Sequence, residues 1–247
     1  MAIYKITYAA EHSRAHLYNW GCSFRCRGCA YHLREDERPA CFLSLEEIQQ
    51  TLRSLPELRQ VNFLGGEPTT NRELSALLAM CKQELGVRTW LGHTNGTALP
   101  TENLDGLNIS LKAFSPALHL DYTGYPRDPI HTNLHRAWEA GLEIKAGSVL
   151  IPDYVDADEI KALAAFVASM SPEIPFHVSA FMEVPGLPWR SPKTEEMAEA
   201  KNAALESLRN VSCSALTAEE YVQRRAAGGL YHSVQVAGPP QPAGLPQ

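Results

Sequence analysis

From about residue 43 onward, short apolar runs alternate with stretches whose apolar residues recur at helical spacing, the pattern of a parallel sheet covered by helices. FLSLEEIQQTLRSL opens with a capping box, Ser44 to Glu47, and predicts a helix with Leu45, Ile48, Leu52 and Leu55 on one face. RQVNFLGG reads as a buried strand ending in a Gly-Gly turn, and NRELSALLAMCKQEL as a helix capped by Asn71 and closed by Gly86. VRTWLGH, LNISLKAF, LEIKAGSVLI and IPFHVSAF read as further strands. Between and after them, residues 131–140, DADEIKALAAFVASM and KTEEMAEAKNAALESL read as helices, the second with Ile160, Leu163, Ala164, Val167 and Met170 on one stripe. HLYNW is a short candidate strand ahead of them.

About six βα units are too few for an eight-fold barrel. They suit an α/β fold of partial (βα)6 barrel type, with parallel strands inside, helices outside and functional groups at the C-terminal strand ends. The reading is one domain over residues 1–227. Residues 228–247, ending VAGPPQPAGLPQ, hold too few apolar groups to pack and are expected to be a disordered tail.

Composition narrows the function classes. Apolar residues make up 45% and charged residues 20%, as in an ordinary globular protein. With 22 basic against 28 acidic residues and a net charge of −6, no broad cationic surface exists for a phosphate backbone, so nucleic acid is not an expected partner. The basic group Arg25, Arg27 and Arg34 is too small to change that. MAIYKITYAAEHSRAH lacks the basic-then-apolar pattern of a signal peptide, and no segment has the apolar length of a membrane span. The expectation is a cytoplasmic protein without membrane contact, in which six cysteines point to metal or redox chemistry rather than disulfides.

Three cysteines stand close together in WGCSFRCRGCAYH, spaced C-x3-C-x2-C: Cys22, Cys26 and Cys29, on a loop over about residues 21–32. Three thiolates can converge on one metal centre and leave a four-site cluster one ligand short, which is the open position catalysis needs. The competing reading is a structural zinc ion with His32 as fourth ligand. Cys41, Cys81 and Cys213 are isolated, and Cys81 falls on an apolar helix face. Gly65-Gly66-Glu67-Pro68 follows a strand 36 residues after Cys29; such a turn brings backbone close to a ligand, and a carboxylate there can accept from an ammonium.

With both motifs in place, the chain resembles the radical SAM superfamily. The resemblance implies that Cys22, Cys26 and Cys29 ligate three irons of a 4Fe–4S cluster while S-adenosylmethionine chelates the fourth. Reductive cleavage would then give a 5′-deoxyadenosyl radical that removes a hydrogen atom from substrate. Gly65, Gly66 and Glu67 look like the turn that holds the amino group of S-adenosylmethionine. Gly28 stands where the family often has an aromatic residue, a place Tyr31 could take over toward adenine.

Further segments resemble the activating enzymes of glycyl radical enzymes, pyruvate formate-lyase activase among them. Thr94-Asn95-Gly96 is similar to their TNG segment, with His93 where Asp is common. ISLKAFSPALHLDYTGY is similar to a D-L-K, His, T-G stretch, with Ser110 in the Asp place and Lys112, His119, Thr123 and Gly124 matching. Lys112 would then lie near the carboxylate of S-adenosylmethionine. Ile151 and Pro152 would sit beside its adenine, and Asp156 would cap the following helix. Phe181-Met182 replaces a Tyr-His pair, so no contact is carried over there. The likeness covers about residues 15–215.

The leading expectation is therefore an activase-like radical SAM oxidoreductase acting as a monomer with a flavodoxin- or ferredoxin-type electron donor and a glycyl radical enzyme as partner. A second keeps the radical chemistry but acts on a small molecule or peptide, which suits His93, Ser110 and the lost Tyr-His. A third, from another class, is a non-enzymatic zinc module. His16, His131, His135, His177 and His232 read as packing or surface residues rather than catalysts.

Overall fold

The computed structural model describes residues 2–29, 38–184, 186–216 and 232–239, together with Glu220 and Gln223. The chain begins with an antiparallel hairpin, β1 (Ile3–Ala9) and β2 (Arg14–Asn19). Six strands then add in chain order, each parallel to the one before: β3 (Gln60–Leu64), β4 (Arg88–Thr94), β5 (Gly106–Ser110), β6 (Glu143–Leu150), β7 (Phe176–Ala180) and β8 (Val211–Ser214). A last strand, β9 (Val234–Ala237), pairs antiparallel with β1. The sheet order is β8-β7-β6-β5-β4-β3-β2-β1-β9. Every crossover advances one strand in the same direction, which is how a parallel sheet is wound into an open, partial barrel.

Helices fill five of the six crossovers, all but that from β4 to β5: α1 (Leu45–Ser54), α2 (Leu74–Ala79) with a π-helical turn at Met80–Glu84, α3 (Pro116–Thr123), α4 (Asp128–Glu139), α5 (Ala157–Met170) and α6 (Thr194–Leu205). The starts of α1 and α5 follow the residues expected to cap them. The Glu47 amide donates to Ser44 Oγ at 3.1 Å while the Ser44 amide donates to Glu47 Oε2 at 2.7 Å. Asp156 accepts from the Glu159 amide. Asn71, expected to cap α2, instead bonds the Glu73 amide in the turn ahead of it, and α2 begins after Glu73 with no side-chain cap.

The two faces of the sheet differ. Leu17, Phe63, Leu91, Leu107, Ile144 and Phe176 are buried in one core with helix residues such as Ile48, Leu77, Leu134 and Leu163. The opposite, concave face is polar and bonded to itself. Gln60 Nε2 donates to Asn62 Oδ1 at 2.6 Å, Trp90 Nε1 to Asn108 Oδ1 at 3.2 Å, and His177 bridges Ser212 and Ser214 at 2.8 Å each. That difference leaves the concave side suited to polar guests and the helix side suited to stability.

Several expectations change. The six expected βα units are present, the one after β4 without its helix, but the last parallel strand, β8, does not read from sequence, because it is short and polar (VSCS) and carries no alternation of its own. β1 reads weakly because IYKITYA is buried throughout, with Lys5 kept inside by its ammonium 4.1 Å over the Tyr18 ring. Residues 234–237, placed in the expected tail, instead form β9, since Val-Gln-Val-Ala can complete the hydrogen-bonding edge of β1. Residues 228–231 and 240–247 lie outside the described residues. Leu45 is exposed, because the first helical turn projects past the core that receives Ile48 and Leu52. Cys81 is buried, whereas Cys41 and Cys213 are exposed. His131 stacks on Phe166 at 3.8 Å, in keeping with a packing role.

Candidate functional site

The C-terminal ends of β2, β3, β4 and β5 carry the motif residues, and they meet there. Cys22 follows the end of β2, and the loop it begins is anchored by Phe24, which is buried against the rings of His119 and Tyr125. Backbone amides of Arg25 and Arg27 donate to the carbonyls of Thr123 and Tyr122 at 2.9 Å each. The cysteine loop thus satisfies carbonyls left open at the C-terminal end of α3, where Gly124 takes φ +70°. His119 Nδ1 donates to the Tyr125 carbonyl at 2.8 Å and Thr123 Oγ1 to the His119 carbonyl at 2.7 Å, so the matched His and Thr-Gly serve this helix end.

The Gly-Gly turn presses on the backbone just before Cys22. A Cβ on Gly66, at φ +38°, would lie 2.1 Å from the Gly21 carbonyl oxygen; one on Gly65 would lie 2.8 Å from that of Asn19. Only glycine allows this approach. The Glu67 amide then donates to the Gly21 carbonyl at 2.8 Å, and the buried Asn19 side chain donates to the Glu67 carbonyl at 2.9 Å.

Glu67 fastens a third turn to these two. Its Oε1 accepts from the Thr69 amide, Thr69 Oγ1 and Thr94 Oγ1 at 3.1, 2.8 and 2.8 Å, and its Oε2 accepts from the Asn95 amide at 2.6 Å. Burial still raises the Glu67 pKa, the donors working against it. Its carboxylate is therefore committed within the chain, and what this turn offers a ligand is backbone. Asn95 Nδ2 reaches Ser23 Oγ at 3.0 Å and Cys22 Sγ at 3.7 Å, and the Phe24 amide donates to the same sulfur at 3.4 Å.

Lys112 Nζ donates to Ser110 Oγ at 2.7 Å and lies close enough to Cys22, Cys26 and His93 to act on each electrostatically. His93 is open to solvent, yet desolvation lowers its pKa. That combination belongs to a side chain inside a concavity. Ile151 is fully buried, with its amide and carbonyl both engaged by Val155. Its neighbour Tyr154 is the one that reaches the cysteine loop, through Asp121 and Arg27.

Cys22, Cys26 and Cys29 are free thiols, half-buried, on one loop beside a lysine. Burial raises the Cys22 pKa and pushes Cys26 up to about 11, so metal uptake must deprotonate these two thiols. Among the described residues no three His, Cys, Asp or Glu side chains converge on one ion. His32, the proposed fourth zinc ligand, lies outside the described residues, as do Tyr31 and Arg34. Three cysteines with amide donors on a sulfur, a nearby ammonium and backbone brought close by glycine are the donor types of an iron–sulfur cluster with one open coordination position, and its binding would have to draw the three sulfurs together. Asn19, Phe24, Tyr154 and Trp189 were not singled out from sequence; the apolar Phe24 between two cysteines was the one available signal.

Comparison with known proteins gives four findings. The family profile of the radical SAM superfamily matches residues 20–167. A protein of Methanocaldococcus jannaschii with the provisional name of glycyl-radical enzyme activating enzyme is 28% identical over 211 residues, covering 80% of this chain and 79% of its own. GTP 3′,8-cyclase of Yersinia pestis is 29% identical over 165 residues, or 61% of this chain, which spans about half (48%) of the cyclase. Among solved structures, a radical SAM methyltransferase of Sphaerobacter thermophilus superposes with a TM-score of 0.62 at 17% identity, over 82% of this chain and 66% of that one.

Proposed function

Because the chain belongs to the radical SAM superfamily, we propose that it is an S-adenosylmethionine-dependent enzyme with a 4Fe–4S cluster on Cys22, Cys26 and Cys29, acting as a glycyl-radical-enzyme activase or close relative. When bound, the cluster and S-adenosylmethionine would supply one-electron, radical-forming chemistry directed at a glycine of the partner protein. The observation that carries this reading is the joining of the cysteine loop, the Gly-Gly turn and the Thr94-Asn95 turn through Glu67.

This chain's residues hold and orient. Gly65 and Gly66 let backbone lie against the residues preceding Cys22, Glu67 locks that turn to Thr94 and Asn95, and Asn95 supports the Cys22 sulfur. Ser110 holds the Lys112 ammonium, which would meet the carboxylate of S-adenosylmethionine as a point charge. Ile151 contributes apolar packing under the adenine side. A cytoplasmic monomer with a flavodoxin- or ferredoxin-type donor completes the reading; no helix among the described residues is long and apolar enough to cross a membrane. The M. jannaschii relative, matched along most of both chains, supports the activase assignment.

A second reading keeps the cluster and gives it a small molecule or peptide. His93, solvent-accessible inside the concavity, and the polar concave face favour it, and the cyclase likeness is in keeping. Anaerobic reconstitution with iron and sulfide, reduction by dithionite and addition of S-adenosylmethionine test the common core. Deoxyadenosine that forms with the wild type and vanishes in Cys26→Ala is the expected result. One tightly held zinc per chain with no cleavage would sink it in favour of the zinc module.

A further inference from the structure

Gly28, one residue before the third cysteine, is pressed by two aromatic rings from a distant segment. A Cβ at this position would lie 3.0 Å from Phe181 Cε2 and 3.1 Å from Trp189 Cζ3, tighter than ordinary contact. Its φ is not in the left-handed region, so what a side chain would meet here is crowding from the two rings rather than backbone strain. Trp189 belongs to the stretch between β7 and α6, far from the cysteines in sequence.

Trp189 is held from several sides. Its ring stacks on Tyr154 at 4.5 Å and 28°, and Tyr122 and Phe181 each meet it edge-on at 5.9 Å. The Arg27 guanidinium lies 5.3 Å from the Trp189 ring centroid and 2.6 Å from Asp121 Oδ2, the same oxygen that accepts from Tyr154 Oη at 2.5 Å. Arg27, Asp121, Tyr154 and Trp189 thus form a closed ring of contacts. They come from the cysteine loop, α3, the β6–α5 connection and the segment after β7. The ion pair is exposed and contributes little by itself; the aromatic contacts are the larger part.

We propose that Trp189 is a positioning residue for the cluster: an aromatic latch from the far end of the barrel that lies over Gly28, fixes the Cys26–Cys29 part of the loop, and keeps water from its sulfurs. The proposal rests on the cluster reading above. Solvent exposure and hydrogen bonding to the sulfurs set cluster potential, so a latch that excludes water has a signature that mere packing lacks.

The test uses reconstituted full-length protein: wild type, Trp189→Ala, Trp189→Phe, Gly28→Ala and the Gly28→Ala/Trp189→Ala pair. Iron and sulfide content, midpoint potential, and the rate at which the cluster's visible absorption bleaches in air are measured well below the unfolding temperature. Trp189→Ala should bleach several-fold faster with a displaced potential, and Trp189→Phe should restore much of both. Gly28→Ala should disturb the cluster more when Trp189 is present than when it is gone, the difference being the coupling expected of touching residues and the remainder the contact with Phe181. Should Trp189→Ala fail to fold, Trp189→Phe and Gly28→Ala still decide. Loaded variants with wild-type potential and bleaching overturn the latch. A wild-type chain that takes up no cluster overturns the reading beneath it.

Discussion

The Asn95 amide lies 2.6 Å from Glu67 Oε2, deep in the site, and this bond joins the turn after β3 to the turn after β4. Both turns border Cys22, one through the Gly21 carbonyl and the other through the Asn95 side chain. Glu67 therefore acts on the cysteine loop from inside the protein. A Gly-Gly-Glu sequence read alone suggests a carboxylate offered to a ligand; the structure shows that carboxylate receiving four hydrogen bonds from its own chain.

Glu67→Gln should be destabilising despite its equal size. A backbone amide cannot reverse its polarity, so an amide nitrogen placed at Oε2 would face the Asn95 N–H donor to donor, while the other orientation places it against the Thr69 amide. Leaving a buried donor unsatisfied costs about 1–3 kcal/mol. Thermal unfolding of the apoprotein should show a lowered Tm and reconstitution a reduced iron content. A Gln variant as stable as wild type would mean the carboxylate is not needed as acceptor on both oxygens.

Gly66→Ala should be harsher than a typical glycine replacement. The left-handed backbone alone costs about 1–2 kcal/mol for a residue with Cβ, and here that carbon would meet the Gly21 carbonyl at 2.1 Å. Gly86→Ala is the control: its φ is +65° but nothing lies within 4 Å of the added carbon. If the two variants lose the same Tm, close approach to Gly21 is not what holds residue 66 as glycine.

These relationships mark where the sequence was readable. Helix starts depend on contacts three residues apart, so the Ser44–Glu47 box could be named in advance and is found as named, and Asp156, expected as a cap, accepts from the Glu159 amide. The C-x3-C-x2-C and Gly-Gly-Glu-Pro segments are local too, and the fold carries both to adjoining strand ends. Strands β1, β8 and β9 depend on partners far along the chain, and their short or fully buried sequences lack the alternation that marks a half-exposed strand. Asn19, buried under the Glu67 carbonyl, and Trp189, resting on Gly28, have roles that exist only once distant segments meet.

Phe24 offers a test of how far the cysteine loop depends on its own anchor. It is fully buried between two cysteines of the motif, against His119 and Tyr125. Removing such a ring from a core costs about 3–5 kcal/mol. Phe24→Ala should lower Tm accordingly and lose cluster occupancy, with Phe24→Leu between it and wild type. An Ala variant that loads iron as fully as wild type would show that the backbone bonds to Tyr122 and Thr123 suffice.

Stability should also fall toward acid pH, and His131 identifies part of the reason. Burial lowers its pKa to about 4, mainly by desolvation and then by Arg127, as its ring stacks on Phe166. In the unfolded chain the ordinary value is about 6.5. Between those values the unfolded state binds the proton and the folded state does not, so the stabilisation is complete above about 6.5 and is lost as pH falls toward about 4. His16, with its pKa also lowered to about 4, adds in the same direction. His131→Phe, which keeps a ring on Phe166 and has no proton to bind, should flatten the dependence of unfolding free energy on pH across this window by up to about 1.4 kcal/mol per pH unit. Urea unfolding of the apoprotein at several pH values would measure it. An unchanged slope in the Phe variant would mean that the folded His131 ring takes up its proton as readily as the unfolded one.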